Sequence, residues 1–201
     1  MTDLTVERLA YARSNSTLPD KDSLYLHALT AMAATLPIGE PRSEVAVAIA
    51  QWHAEQAANY QCLAPDSAWK WERRMARDGC REVIAEAPGS FAAKKAKALL
   101  AQLELPALQV KAEEAVTPDM PFKLSVTYAN MTQVWLRVVK DDALQVARRV
   151  EPGTKEMKRL LRLTPLREWS TVLPDDGDLN SHVTEVPVDP LSIGGYYIIV
   201  S

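Results

Sequence analysis

Residues 121–130, PFKLSVTYAN, alternate apolar and polar side chains with the two-residue period of a β-strand. Before Leu105 the chain is instead rich in Ala, Leu and Lys, with apolar residues three and four apart, as on one face of a helix. The sequence therefore predicts an α+β chain of two domains, an all-α domain over residues 1–105 and an antiparallel β domain over residues 106–201. The alternating residues of the quoted stretch are Phe122, Leu124, Val126 and Tyr128 against Lys123, Ser125 and Thr127.

Five helices are predicted in the first domain, where apolar stripes are separated by Pro and Gly stop signals. Two of them end at Pro37 and Pro88, and each is followed by an Ala-rich helix, which resembles a degenerate tetratricopeptide-type hairpin. These prolines lie farther apart than a repeat of ~34 residues requires, so a generic antiparallel bundle is an equal alternative. The predicted helices are Thr2–Ser14, Asp20–Leu36, Ser43–Cys62 with Ser43 as N-cap, one from Asp66 or Ser67 to Ala87, and one capped by Ser90.

Six strand candidates follow Pro106, separated by turns that contain Pro, Asp, Asn or Gly. Short strands at such intervals are typical of an immunoglobulin-like antiparallel β-sandwich. A charged insert over residues 141–163 interrupts them as a solvated excursion, with a docking loop as the alternative, and its Thr154–Leu161 part is predicted to be a short helix. The six candidates are LQVKAEEAV, PFKLSVTYAN, QVWLRVVK, PLREWSTVL, HVTEVPV and GYYIIVS.

The composition is that of an ordinary globular protein, with 47% apolar and 24% charged residues over 201 positions. Its formal net charge is −3, and Lys and Arg are interleaved with Asp and Glu rather than gathered into a basic stripe. No nucleic-acid partner is expected, because such a partner requires positive charge to neutralise phosphates. No apolar run approaches the ~18 residues of a membrane span, and the start of the chain lacks the pattern of a signal peptide.

No catalytic, cofactor-binding or metal-binding residues are predicted. His27, His53 and His182 fall in separate predicted elements, whereas a metal site requires several converging ligands. The chain lacks a Gly-x-Ser-x-Gly nucleophile elbow, and its Gly-Gly pair precedes a strand rather than a phosphate-binding helix. The acidic residues 175–178 lack the ligand spacing of an EF-hand and are predicted to form a tight turn, with weak calcium binding as the lesser alternative. Catalysis by this chain is therefore not expected.

The cysteines and tryptophans are predicted to be packing residues. Cys62 ends one predicted helix and Cys80 lies well inside the next, roughly 20 Å away by helical rise. That separation is too large for a disulfide, so both are predicted to be buried free thiols. The tryptophans are predicted to fill the cores rather than to form a sugar-binding platform: Trp52, Trp69 and Trp71 in the helical hairpins, Trp135 and Trp169 in the sandwich.

Several runs of the chain resemble the amino-terminal region of bacterial α-2-macroglobulin-like proteins, including the long forms found in Bacteroides-type bacteria. The most specific pieces are REWSTVLPDDGD with its following His and Thr-Glu, the PFKLSVTYAN strand and the Gly-Gly-Tyr-Tyr ending. The run SLYLHALTAMAATLP and the Ala-rich helix after Pro88 resemble the helical hairpins that precede the first macroglobulin-type sandwich. The resemblance covers Asp22 to Ser201.

This resemblance implies a piece of a large, secreted or envelope-tethered protease trap, whose reactive centre is a thioester formed within a Cys-x-Glu-Gln motif. Neither cysteine fits that motif, because Cys62 precedes Leu-Ala-Pro and Cys80 precedes Arg-Glu-Val. The chain is therefore expected to be a non-catalytic structural segment whose partners are the remainder of the parent protein and, through the parent, proteases. A free-standing binding module is the alternative, in which a helical-repeat groove recruits a peptide or glycan and the immunoglobulin-like domain is a spacer.

The last strand candidate raises a separate expectation. The resemblance implies a seven-stranded domain, whereas this chain offers six strand candidates and ends at Tyr196–Ser201. An unpaired hydrophobic edge invites pairing with another strand. We therefore expect the edge to be filled by a neighbouring chain or by local rearrangement, with a dimer through Tyr196–Ser201 as one outcome.

Overall fold

The computed structural model describes residues 2–62, 68–113, 115–140 and 154–201. It is a mixed α+β protein in which an N-terminal helical part precedes the strands, as the change of period near Leu105 predicts. The chain divides into two compact units, Met1–Leu105 with Gly177–Asn180, and Pro106–Asp176 with Ser181–Ser201. The short segment 177–180, which the sequence places among the strands, thus belongs to the helical unit.

The helical unit contains five α-helices and a 3₁₀ turn, Ala57–Asn59. The predicted first residues of two helices are wrong. The third helix begins at Glu40 rather than at Ser43, because Gly39 with its φ of 143° turns the chain and Pro41 fits the first helical turn. The fourth begins at Glu72, and residues 63–67, where its predicted cap lies, are outside the described residues. The helices are α1 Thr2–Asn15, α2 Lys21–Thr35, α3 Glu40–Gln56, α4 Glu72–Glu86 and α5 Phe91–Leu103.

The central helix of this unit is α3, because it contributes to both of the helical cores. One face packs Val45 and Trp52 against Leu29 of α2. Its other face packs Val47 and Ala50 against small and branched residues of the last two helices, Cys80, Val83, Ala92 and Ala96. Full burial of a large apolar side chain contributes about 1.5–3 kcal/mol. The two-sided burial of α3 therefore holds the helices together as one unit.

The strand unit contains two three-stranded antiparallel sheets, one in the order β1-β2-β5 and the other in the order β4-β3-β6. The predicted number of strands, six, is confirmed for the described residues. In the first sheet Val126 of β2 lies opposite Val110 and Thr184. The strands are β1 Ala107–Lys111, β2 Phe122–Ala129, β3 Gln133–Lys140, β4 Arg167–Val172, β5 His182–Val188 and β6 Tyr196–Val200.

Side chains from both sheets meet in a single hydrophobic cluster. Leu124, Val126 and Val186 come from the first sheet, and Val134 and Leu136 come from the second. The alternation that predicts β2 is confirmed by its burial, since Leu124, Val126 and Tyr128 are buried while the residues between them are more exposed. The strand period thus decides which side chains enter the core.

The two tryptophans of the second sheet differ in burial. Trp169 packs against the cluster, as predicted. The prediction that Trp135 is a core residue is wrong, because its side chain is 60% exposed. Val134 and Leu136 enter the core on either side of it, so the two-residue period directs Trp135 to the opposite face of β3.

The short helix predicted within the charged insert is confirmed as α6, Thr154–Leu160. The rest of the predicted insert up to residue 153 lies outside the described residues. Arg137, on the same face of β3 as Trp135, donates hydrogen bonds of 3.0 and 3.2 Å to the carbonyl oxygens of Leu161 and Leu163. The end of α6 is thereby fixed over the outer face of this sheet.

Candidate interaction site at an open sheet edge

The strand β6 forms one edge of its sheet, and β3 is its partner among the described residues. Trp135 and Ser201 exchange two backbone hydrogen bonds, of 2.8 and 3.0 Å, just beyond the end of β6. Since hydrogen-bonded pairs alternate along antiparallel strands, Tyr197 and Ile199 also direct their backbone groups to β3. The backbone N–H and C=O groups of the intervening residues therefore point away from β3, to the open edge: Tyr196, Ile198 and Val200.

The strand β6 also differs chemically from the other edge strands. Each sheet has two edges, β1 and β5 in the first and β4 and β6 in the second. Charged residues and proline on an edge strand discourage pairing with another chain. The segment Tyr196–Val200 has neither, while the other three edge strands of the described chain carry Lys111 on β1, Arg167 and Glu168 on β4, and Glu185 and Pro187 on β5.

A groove of about 500 Å³ lies beside the open edge. Its walls come from both sheets, with Val110 on β1, Phe122 on β2 and Ile198 on β6. Two connecting segments complete it through Val116 and Ile193. The lining is mainly apolar, so the groove suits the side chains of an extended, uncharged segment.

Hydrogen bonds hold the two connecting segments in place. The backbone N–H of Asp119 donates to the carbonyl oxygen of Leu191 over 2.9 Å, which joins one segment to the other. The hydroxyl of Tyr196 donates to the carbonyl oxygen of Ser192 over 3.1 Å. At Gly194 a Cβ atom would lie 3.3 Å from the Tyr196 ring, so glycine permits this close approach. The rim of the groove is therefore built into the fold.

Sequence reasoning identified the edge strand but missed the groove. Val116 ends the strand candidate LQVKAEEAV, which is wrong beyond Lys111 because β1 stops there, and Ile193 lies in a segment predicted as a turn. Ile193 is 83% exposed, which is unusual for so apolar a side chain. Isolated apolar residues next to turn signals are the feature of the sequence that could have indicated this site.

The histidines lie on three different elements, α2, α3 and β5. His53 of α3 places its Nδ1 atom 2.6 Å from Oε2 of Glu72, a largely buried contact within hydrogen-bond distance that joins α3 to the first turn of α4. A carboxylate at that position also interacts favourably with the positive end of the α4 dipole. His27 is exposed on α2, and His182 begins β5 with its Nε2 atom 3.7 Å from Oδ1 of Asp176. His53 thus links two helices.

Both cysteines are free, as predicted, and Cys80 is fully buried. Burial raises the pKa of the Cys80 thiol to about 11. The prediction of a buried thiol is wrong for Cys62, which is exposed because it follows the 3₁₀ turn instead of ending a packed helix. A buried thiol of raised pKa is a poor nucleophile, so Cys80 is a packing residue.

The three tryptophans predicted to fill the helical core also differ in burial. Trp52 is buried. Trp69 and Trp71 are 37% and 40% exposed, because α4 begins only at Glu72 and both residues precede it. Lys70 places its ammonium group 5.1 Å from the centre of the Trp71 ring. Both tryptophans are thus partly exposed on the helical unit.

The acidic residues 175–178 lie in the long connection between β4 and β5, which bends at Gly177. Gly177 has a φ of 73°, which favours glycine, and Leu179 has a φ of 65°. The Oδ1 atom of Asp178 accepts a hydrogen bond of 2.8 Å from the backbone N–H of Asn180. Hydrogen bonds in which an acidic side chain accepts from the backbone N–H two residues later are common in turns.

No protein-family model and no curated protein matches this chain. Within the described ranges, no helix is both long and apolar enough to cross a bilayer.

Proposed function

We propose that this chain is a non-catalytic structural segment of a bacterial α-2-macroglobulin-like protease inhibitor, with the thioester and bait regions outside it. In this proposal the strand unit is the first macroglobulin-type sandwich, an immunoglobulin-like domain that lacks its last strand. The helical unit is an appendage of tetratricopeptide-like or bundled hairpins. The proposal assigns no cofactor and no metal to this chain.

The observation that carries the proposal is the order and pairing of the strands. Six antiparallel strands form two sheets around one hydrophobic cluster, and the last strand, Tyr196–Val200, lies at an open edge. A seven-stranded sandwich that lacks one strand would leave such an edge. The helices that precede these strands match the order of elements in the family that the sequence resembles.

The chemistry of the described residues is consistent with a non-catalytic role. The contact between His53 and Glu72 joins two helices, and the thiol of Cys80 is packed in a helical core. The proposed partners are the remainder of the parent protein and, through it, proteases. The proposed location is the cell envelope or the extracellular space.

Turnover assays test the non-catalytic part of the proposal. The purified chain should not cleave a denatured protein substrate or chromogenic glycosides above the background of a mock purification. Preparations of His53→Gln and His182→Gln should give the same background. Turnover that follows the wild-type chain through purification and decreases in either variant would show an enzyme instead.

A second candidate function is a helical binding module with an immunoglobulin-like spacer, which recognises a peptide or glycan. The exposed pair Trp69 and Trp71 favours it, because aromatic side chains that remain exposed on a folded surface often contact ligands. Calorimetric titration with panels of oligosaccharides and short peptides tests this function. Binding that is lost in Trp69→Ala and retained in Trp135→Ala, an exposed tryptophan of the other unit, would favour the module over the structural segment.

A further inference from the structure

We infer that the segment Gly177–Asn180 is a releasable strap that holds the turn before α4 in place. The segment lies in the connection between β4 and β5, yet its contacts assign it to the helical unit. The turn that it holds, residues 68–71, carries the partly exposed side chains of Trp69 and Trp71. The inference uses only contacts within the helical unit, so it does not depend on the proposed function.

Hydrogen bonds tie the strap to the chain on both sides of the point where α4 begins. The side-chain Nδ2 atom of Asn180 donates to the carbonyl oxygen of Lys70 over 2.7 Å, just before the helix. The Nη1 atom of Arg73, in the first turn of α4, donates to the carbonyl oxygen of Leu179 over 3.0 Å. The strap therefore contacts the backbone of the turn and a side chain of the helix at the same time.

The start of α4 depends on tertiary contacts of this kind, because it has no side-chain cap. Trp71 occupies the N-cap position, and its side chain accepts no hydrogen bond from the first backbone N–H groups of the helix. Glu72, the first residue of the helix, contacts His53 of α3 at 2.6 Å. The contacts with α3 and with the strap therefore fix the first turn of α4.

The strap is buried in spite of its polar side chains. Asp178 is completely buried and Asn180 is 3% exposed. The Oδ1 atom of Asp178 accepts a hydrogen bond of 2.8 Å from the backbone N–H of Asn180, which orients the residue whose side chain reaches Lys70. Burial of polar side chains is unfavourable unless they are hydrogen-bonded. The strap is therefore a specific contact rather than a loop that lies loosely on the surface.

The backbone of the strap contains strain that favours its release. Leu179 has a φ of 65°, in a left-handed region that leucine rarely adopts. Such strain persists only where surrounding contacts hold it, and it is concentrated in clamps and switch segments. Arg73 supplies one of these contacts through the carbonyl oxygen of Leu179. Release would relieve the strain and lose the hydrogen bonds, so the two contributions oppose each other.

Release of the strap would loosen the turn 68–71 and change the positions of both tryptophans. The coupling is reciprocal, because contacts that stabilise the docked turn also stabilise the docked strap. A ligand that binds Trp69 or Trp71 in the docked arrangement would therefore tighten the strap. A displacement of the connection between β4 and β5 would in turn alter the surface that carries these tryptophans.

Amide hydrogen exchange of the full chain tests the strap. The amides of Glu72 and Met75 donate to carbonyl oxygens of the turn, so their exchange reports whether the turn and the first turn of α4 are closed. Asn180→Ala removes the donor to Lys70. It should speed exchange at both amides by about fivefold or more, as expected from the loss of one hydrogen bond.

Two controls separate this effect from a general loss of stability. Asn59→Ala removes the same side chain from the helical unit, but the amide of Asn59 bonds to Gln56 instead of to the turn. It should leave the exchange at Glu72 and Met75 unchanged. The amide of Ala87, which bonds at the opposite end of α4, should be unchanged in both variants. Circular dichroism checks that the variants are folded.

The reciprocal experiment reads the strap while the helix is changed. His53→Ala removes the contact between α3 and Glu72 and alters no residue of the strap, so the amide of Asn180 should also exchange faster. An Asn180 amide that does not respond would overturn the inference. Unchanged exchange at Glu72 in Asn180→Ala, equal acceleration in Asn59→Ala, or equal acceleration at Ala87 would overturn it as well.

Discussion

At the scale of single residues, Cys80 shows how burial changes chemistry. It lies in the core between α3, α4 and α5 without solvent exposure, and this burial raises the pKa of its thiol above the ordinary value of 9.0, to about 11. As long as the Cys80 thiol is neutral in the unfolded state as well, its burial contributes fully to the stability of the folded state. That contribution is fully present below pH 9 and is lost as the pH rises through 11.

The pH dependence gives a test of this burial. The difference in unfolding free energy between the wild type and Cys80→Ala should shrink by on the order of 2 kcal/mol between pH 9 and pH 11, because only the wild type loses the contribution of the thiol. Urea denaturation followed by circular dichroism measures it. Cys62→Ala is the control, and it should follow the wild type because Cys62 is exposed. A constant difference between wild type and Cys80→Ala would show that the thiol ionises as easily in the folded as in the unfolded state.

Neighbouring residues on β3 give a second prediction at this scale. Leu136 is buried and Trp135 is mostly exposed, although tryptophan is the larger apolar residue. Leu136→Ala should lower the unfolding free energy by about 2–5 kcal/mol, whereas Trp135→Thr, which keeps a strand-forming residue, should lower it by less than about 1 kcal/mol. Denaturant titration of both variants measures the two effects. Equal losses would contradict the assignment of the two faces.

Residue types alone did not predict which tryptophans are buried. The alternation of Val134 and Leu136 does place Trp135 on the outer face, so the period was the better guide than the hydrophobicity of the side chain. Trp69 and Trp71 were misplaced for another reason. Their burial depends on where α4 begins, and the predicted caps Asp66 and Ser67 place that start too early, because α4 begins at Glu72.

At the scale of elements, α5 is the helix whose start the sequence predicts best. Ser90 has extended backbone angles, and its Oγ atom accepts a hydrogen bond of 3.0 Å from the backbone N–H of Ala93. Ser90→Ala should lower the unfolding free energy by about 1 kcal/mol, because one backbone donor of the first turn loses its partner. Ser90→Asp retains an acceptor and should stay close to the wild type in the same urea titration. An alanine variant as stable as the wild type would show that the cap contributes nothing.

The start of α3 was less predictable, for a physical reason. Ser43 is a good cap by residue type, yet Gly39 and Pro41 upstream provide an earlier turn and a first helical residue with a fixed φ. Ser43 is then enclosed in the first turn and buried. Where two start signals compete within one helical turn, tertiary packing decides between them.

At the scale of the whole molecule, the order of helices before strands and the number of strands were predictable, because both depend on local period and turn chemistry. The sheet order was not. The pairing of β6 with β3, two strands that are distant in the sequence, depends on contacts that no local pattern encodes. The position of the groove follows from that pairing, which is why sequence reasoning found the exposed strand but not the cavity beside it.

The central claim is that this chain is one structural segment of a larger macroglobulin-like inhibitor. Sequencing the genomic reading frame on both sides of the stretch that encodes it tests the claim most directly. The account predicts a frame that continues after Ser201 into further β-rich domains of about 100 residues each and contains a Cys-x-Glu-Gln motif. A stop codon directly after Ser201, or a long frame without further β-rich domains, would contradict it.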